Sequence, residues 1–182
     1  MRVLLSILVL FALCISNSHA QRYQLASSEV SFFSEAPLEN IEAVNTKARS
    51  VFDASKGEVA FMIPISGFQF EKALMQEHFN ENYLESDKYP NATFEGQFQD
   101  FDPDNSAEQE VTAEGKLTIH GVTHTVEIPG TIQKGADGWD MEATFPITIT
   151  DYKIKIPKVV FYNIAEVVDV TVHFIYQTDA QP

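Results

Sequence analysis

Cysteine is all but missing: Cys14 is the only one in 182 residues, and it sits inside an apolar stretch near the N-terminus. The rest of the chain can form no disulfide, no thiolate metal site and no thiol nucleophile, so its stability has to come from packing. Basic residues are also scarce. Twelve Lys and Arg stand against 26 Asp and Glu, a formal charge of -14, and such a surface repels phosphate backbones, which excludes nucleic acid as a partner. Eight Gly and eight Pro are too few for a collagen-like or linker-like chain. Long hydrophobic runs are absent apart from residues 3–15, which fall short of the roughly 20 residues needed to span a bilayer. Preceded by Arg2 and followed by Ser18-His19-Ala20, that run reads as a signal peptide over residues 1–20, cleaved before Gln21. The expectation is an exported chain, periplasmic in a Gram-negative host and secreted otherwise, with one domain over residues 21–182 and no transmembrane segment.

What is present is aromatic bulk, with fourteen Phe, six Tyr and one Trp, set in patterns of period two. Val30 and Phe32 share one parity, as do Val59, Phe61, Ile63 and Ile65. Phe94 and Phe98 alternate with Thr93, Glu95 and Gln97, and Val168, Val170, Val172, Phe174 and Tyr176 alternate with Asp169, Thr171 and His173. Each is a half-buried strand. Turn signals separate them at Ser55-Lys56-Gly57, Asp102-Pro103-Asp104-Asn105, His120-Gly121 and 134–138. One segment departs from this rhythm. Over residues 71–84, Met75, Phe79 and Tyr83 recur every four positions, with Leu74 and His78 on an adjoining stripe, predicting a helix that covers one end of the sheet.

A two-residue loop at His120-Gly121 would pair Ile119 with Val122, Thr118 with Thr123 and Leu117 with His124. His124 then falls on the apolar face with Ile119, Val122 and Val126. There it reads first as a satisfied core histidine and second as a polar contact inside a cavity. Lys153 and Lys155 alternate with Ile154 and Ile156 as a further strand, whose lysine face is either plain solvated surface or a place to meet an anionic headgroup.

Motifs for chemistry are missing. No G-x-S-x-G, H-E-x-x-H, G-x-G-x-x-G or P-loop occurs, and the histidines show no triad spacing. The Asp100, Asp102, Asp104 series lacks the glycine and the final glutamate of a calcium loop and reads as a solvated turn. No catalytic residue, cofactor or metal is expected.

Two stretches do carry a resemblance. Leu117-Thr118-Ile119-His120-Gly121-Val122-Thr123-His124, with upstream His78-Phe79 and Lys88-Tyr89-Pro90-Asn91-Ala92-Thr93-Phe94, is similar in order and spacing to the paired motifs of the YceI-like family of exported lipid-binding proteins. The likeness starts at Val30-Ser31-Phe32-Phe33 and Ala36-Pro37 and runs into the final strand. It implies an all-β protein: a single antiparallel eight-stranded lipocalin-like β-barrel with one short α-helix as lid. It also implies a polyisoprenoid or other long-chain lipid as ligand, carried without catalysis. The alternative is a non-catalytic exported stress or interaction protein with a fully packed barrel. By parity the tunnel candidates are Phe61, Ile63, Phe94, Phe98, Ile119, Val122, Val126, Val170 and Val172, each of which also suits ordinary core. Met75, His78 and Phe79 on the helix and His124 on the hairpin complete the candidate site at its mouth.

Overall fold

Strands with one apolar face must bury it, and a long antiparallel sheet can do so by curling that face inward on itself. The computed structural model describes residues 23–35, 40–155 and 165–178. The elements are β1 (Tyr23–Ser34), β2 (Ile41–Asn45), β3 (Arg49–Asp53), β4 (Glu58–Pro64), β5 (Gln69–Phe70), α1 (Ala73–His78), β6 (Asn91–Gln99), β7 (Gln109–Ile119), β8 (Val122–Lys134), β9 (Gly138–Thr148) and β10 (Val167–Thr178). They form one antiparallel sheet in the order β3-β4-β6-β7-β8-β9-β10-β1-β2-β5, curled into a half-barrel. Among the described residues no helix is long and apolar enough to cross a membrane. The expected signal segment and Ala36-Pro37 lie outside the described residues.

The count of ten strands, against the eight expected, comes from one bend and one fragment. Between β2 and β3 the chain turns at Asn45, whose Oδ1 accepts the N–H of Lys47 (2.8 Å). This splits one stretch into two short strands, and the two-residue β5 adds the last. The same asparagine ties the end of β2 to the end of β4, strands that lie next to the two edges of the sheet. It is 0% exposed and its Nδ2 donates to the Pro64 carbonyl at the end of β4 (2.8 Å). Gly67 lies against it so closely that an added Cβ would meet Nδ2 at 2.8 Å. The β3 edge leans inward as well, with Phe52 against Tyr23, Trp139 and Tyr176.

Parity along β1 breaks at Ala26, where the ladder to β10 shifts register between Leu25 and Ser27. The extra residue is a bulge that lets Leu25 and Val30, of opposite parity, both pack on the core. The helix also differs from its expected span of 71–84. α1 is α-helical over Ala73–His78 and passes into a π turn over Phe79–Tyr83, with the Leu84 N–H donating to the Phe79 carbonyl (2.9 Å). The strand read around Lys153 and Lys155 is not formed there. A 3-10 turn over Ile149–Tyr152 ends with Lys153 in the left-handed region at φ 58, which leaves both lysines exposed and Ile154 buried. Residues 156–164, Ile156 among them, lie outside the described residues.

The lower half of the interior is solid. Trp139, Phe52, Phe98, Phe101, Tyr23 and Tyr176 form a mesh of mostly tilted and edge-on rings with centroids 5.2 to 6.5 Å apart. Ser50 Oγ donates to the Ala60 carbonyl (2.9 Å), leaving the Tyr176 hydroxyl to donate to Ser50. Burial pushes the Tyr176 phenol far above its ordinary value. The sign of the consequence is fixed: the unfolded tyrosine ionises near pH 10 while the folded one keeps its proton, so this contribution is whole below about pH 10 and lost as pH rises. One such proton is worth about 1.4 kcal/mol per pH unit. Urea unfolding at about pH 8 and about pH 11 is expected to show that loss in the native protein and much less of it in Tyr176→Phe.

Candidate binding cavity

Above the aromatic mesh the interior is open. A cavity of about 440 Å3 runs between the inward faces of the strands and the lid formed by α1 and its π turn. Its lining is overwhelmingly apolar and contains neither lysine nor arginine among the described residues. The polar side chains that reach it are Ser34, Thr93, His78 and Tyr83. Ser34 is engaged, its Oγ accepting the Ala165 N–H (3.2 Å), and burial raises the Tyr83 phenol above its ordinary value.

The lid is held by phenylalanines. Phe79 stacks on Phe32 (5.5 Å, 15°) and meets Phe68 and Phe70 at 5.5 and 5.0 Å. The helical spacing of Met75, Phe79 and Tyr83 does place all three over the cavity, each half-buried. His78 joins them in the lining although largely exposed, while Leu74 turns outward at 61% exposure.

Of the tunnel candidates, Phe61, Ile63, Phe94, Ile119, Val170 and Val172 line the cavity; Phe98, Val122, Val126 and His124 do not. Phe98 has the inward parity but lies deeper, packed on Phe52 and Phe101 in the solid half. The hairpin pairs as its sequence requires, Ile119 with Val122 and Leu117 with His124, and Thr118 and Thr123 join hydroxyls at 2.8 Å. The β8 half nevertheless departs from the cavity. β8 is laddered to β9 only between 131–134 and 139–142. Beyond that point the 3-10 turn comes against β8, with His124 Nε2 3.1 Å from the Asp151 carbonyl and its ring edge-on to Tyr152 at 5.1 Å. His124 is therefore an exposed bridge to this turn, neither core nor cavity contact. Ile149 and Ile154, from the same stretch, enter the lining in place of Val122 and Val126.

His120 holds the lid and this turn together. It sits at φ 50 beside Gly121 at φ 73, the backbone of a two-residue hairpin loop that only residues tolerant of positive φ allow. Its Nε2 lies 2.9 Å from Glu85 Oε2, just after the lid, and its Nδ1 3.2 Å from the Tyr152 carbonyl. Tyr89 packs edge-on against the ring at 4.3 Å and covers Gly121 so tightly that a Cβ there would meet the phenol ring at 2.6 Å. The two stretches that carry the family resemblance thus meet at one point. Removing two half-buried hydrogen bonds, one of them to a carboxylate that is 44% exposed, costs about 1 to 2 kcal/mol. His120→Ala is expected to lose that much in urea unfolding, and to speed amide exchange at Leu84 and Ile154 before it does so in β10.

Among the described residues no group of three His, Cys, Asp or Glu is placed to hold a metal. At the turn after β6 the Asp102 carboxylate accepts the Asp104 N–H (2.9 Å), capping the loop with its own backbone.

The family description YceI-like domain matches residues 22–176. Among solved structures, a polyisoprenoid binding domain from Saccharophagus degradans implicated in plant cell wall breakdown superposes with a TM-score of 0.74 at 15% identity, over 87% of this chain and 99% of that one. BcnA of Burkholderia cenocepacia gives a TM-score of 0.69 at 22% identity, over 81% of this chain and 95% of the other. A YCEI protein of Campylobacter jejuni gives 0.60 at 16% identity, over 81% and 90%. No curated protein matches the sequence significantly.

Proposed function

The chain belongs to the YceI-like family, and from that premise we propose that it binds one long apolar chain, a polyisoprenoid or another lipid, inside the half-barrel and does no chemistry on it. The observation that carries this reading is the cavity of about 440 Å3, apolar almost throughout and closed at its lower end by packed rings. Each methylene buried there contributes about 0.8 kcal/mol, so a tail supplies its own affinity. The Saccharophagus degradans relative, described as polyisoprenoid binding, supports the ligand class. Headgroup contacts then fall to His78 and Tyr83 on the lid.

The polar groups at the cavity favour binding over catalysis. The Ser34 hydroxyl is tied to backbone, and the Tyr83 phenol is held neutral by burial. A fully packed interaction barrel accounts for the lower half of the interior but not for the open upper half. Export through residues 1–20 belongs to the same proposal, and places the carrier in the periplasm or outside the cell.

The test is to purify the protein natively from its own host, extract it with organic solvent and identify the extract by mass spectrometry. One apolar lipid near equimolar amount is expected. An empty protein that also fails to take up geranylgeraniol or a long-chain alcohol after delipidation would overturn the proposal.

A further inference from the structure

On β10, β4 and β6 the cavity stops at an aromatic ring. On β10 it is lined by alternate residues from Val168 to Phe174, but not by Tyr176. On β4 it reaches Phe61 and not Val59, and on β6 it reaches Phe94 and not Phe98. The three rings lie together: Phe61 stacks on Phe174 at 4.3 Å and 24°, and meets Phe94 at 6.2 Å. Phe94 is seated by two glycines that face each other across the ladder, Gly96 and Gly115, where an added Cβ would come within 2.6 and 2.8 Å of its ring tip. These contacts make a floor above the aromatic mesh on the β4, β6 and β10 side, while on β7 the lining continues to Ala113, the partner of Phe98, and to Val111.

Resting on the binding function just proposed, we infer that Phe61, with Phe94 and Phe174, is a ruler that sets the length of the chain the protein accepts. The six-residue step from Val168 to Phe174 spans about 20 Å along the strand at about 3.3 Å per residue, and about 15 Å along an axis to which strands tilt by about 40°. An extended carbon chain with bonds of about 1.5 Å advances about 1.3 Å per carbon. The floor is therefore met after about 12 main-chain carbons, and the space under the lid adds a few more. That is three to four prenyl units, the farnesyl to geranylgeranyl range. Longer polyprenols must leave their remainder outside the lid.

The experiment measures saturable binding of geraniol, farnesol, geranylgeraniol and longer polyprenols, with linear saturated alcohols as a second series, to the delipidated full chain. The native protein is expected to bind best at farnesol or geranylgeraniol. Phe61→Ala removes one ring layer of about 5 Å and moves the optimum toward longer chains by about one prenyl unit. Phe61→Leu moves it the same way by less and serves if the alanine variant folds poorly. Phe98→Leu, below the floor, lowers the melting temperature and leaves the optimum in place. A native profile flat in chain length, an optimum unmoved in both folded Phe61 variants, or an equal shift in Phe98→Leu would overturn the ruler while leaving the binding function standing. Absence of binding for every probe would overturn both.

Discussion

Val172→Trp is expected to abolish uptake of apolar chains while the protein stays folded. Val172 lies midway along β10, paired with Val30 of β1 and Ala143 of β9, and all three line the cavity. An indole at this position projects into open space above the Phe174 ring. Adding bulk to a filled core costs about 1 to 3 kcal/mol, but here the added atoms gain contacts that the void denies the valine. The expected result is saturable geranylgeraniol binding reduced below detection, with the melting temperature within a few degrees of native. The matched variant Val122→Trp, on the same sheet but outside the lining, is expected to keep binding. If Val172→Trp unfolds the protein, or binds as the native chain does, the space beneath the lid is not the site.

Elements whose residues obey one rule throughout are the ones legible in the sequence. β10 alternates without interruption from Val168 to Tyr176, and its ladder with β9 runs unbroken in register. The His120-Gly121 loop fixes the pairing of β7 with β8 because both residues must take positive φ. Where one residue changes the rule, pattern alone fails. Ala26 adds a bulge that inverts parity in β1, and Asn45 bends one strand into two by capping the Lys47 N–H. Around Lys153 an apparent alternation of two lysines with two isoleucines covers a turn whose φ of 58 no strand permits.

The site was legible to the same degree, and for a related reason. Parity tells which face of a strand is inward but not how deep a residue lies or what covers it. Phe98 has the parity of Phe94 yet sits below the floor, because depth depends on how the strands tilt and curl together. Val122, His124 and Val126 have the parity of Ile128, which does line the cavity, yet the turn over Ile149–Tyr152 comes in against His124. Nothing local to β8 signals that arrival from about 25 residues later in the chain. The lid was readable because a spacing of four survives one helical turn into π geometry, leaving Met75, Phe79 and Tyr83 on one side. Phe68 and Phe70, which clasp Phe79, were missed; they lie just after the 3-10 turn Ile65–Gly67 and on a two-residue strand, segments too short to show any period.

Trp139→Ala is expected to be the most destabilising single change in the molecule, at about 3 to 5 kcal/mol. The indole is 2% exposed and stands at the centre of the lower mesh, with Phe101 at 5.2 Å, Phe52 at 5.8 Å and Tyr23 at 6.3 Å. Lys134 covers its face, the ammonium 5.4 Å from the ring centroid. Those neighbours come from β1, β3, β8 and the loop after β6, so a void there loosens the part of the sheet where the β3 edge closes by side chains instead of a ladder. Among the described residues the indole N–H finds no hydrogen-bond partner, and its loss therefore carries no penalty of a broken bond. Trp139→Phe should accordingly cost only about 1 kcal/mol, the price of a smaller ring. Urea unfolding of the two variants separates packing from polarity: equal large losses would mean the N–H is satisfied after all. Because Trp139 lies below the three-ring floor, the phenylalanine variant should keep the native chain-length optimum, which ties the solid half to stability and the open half to binding.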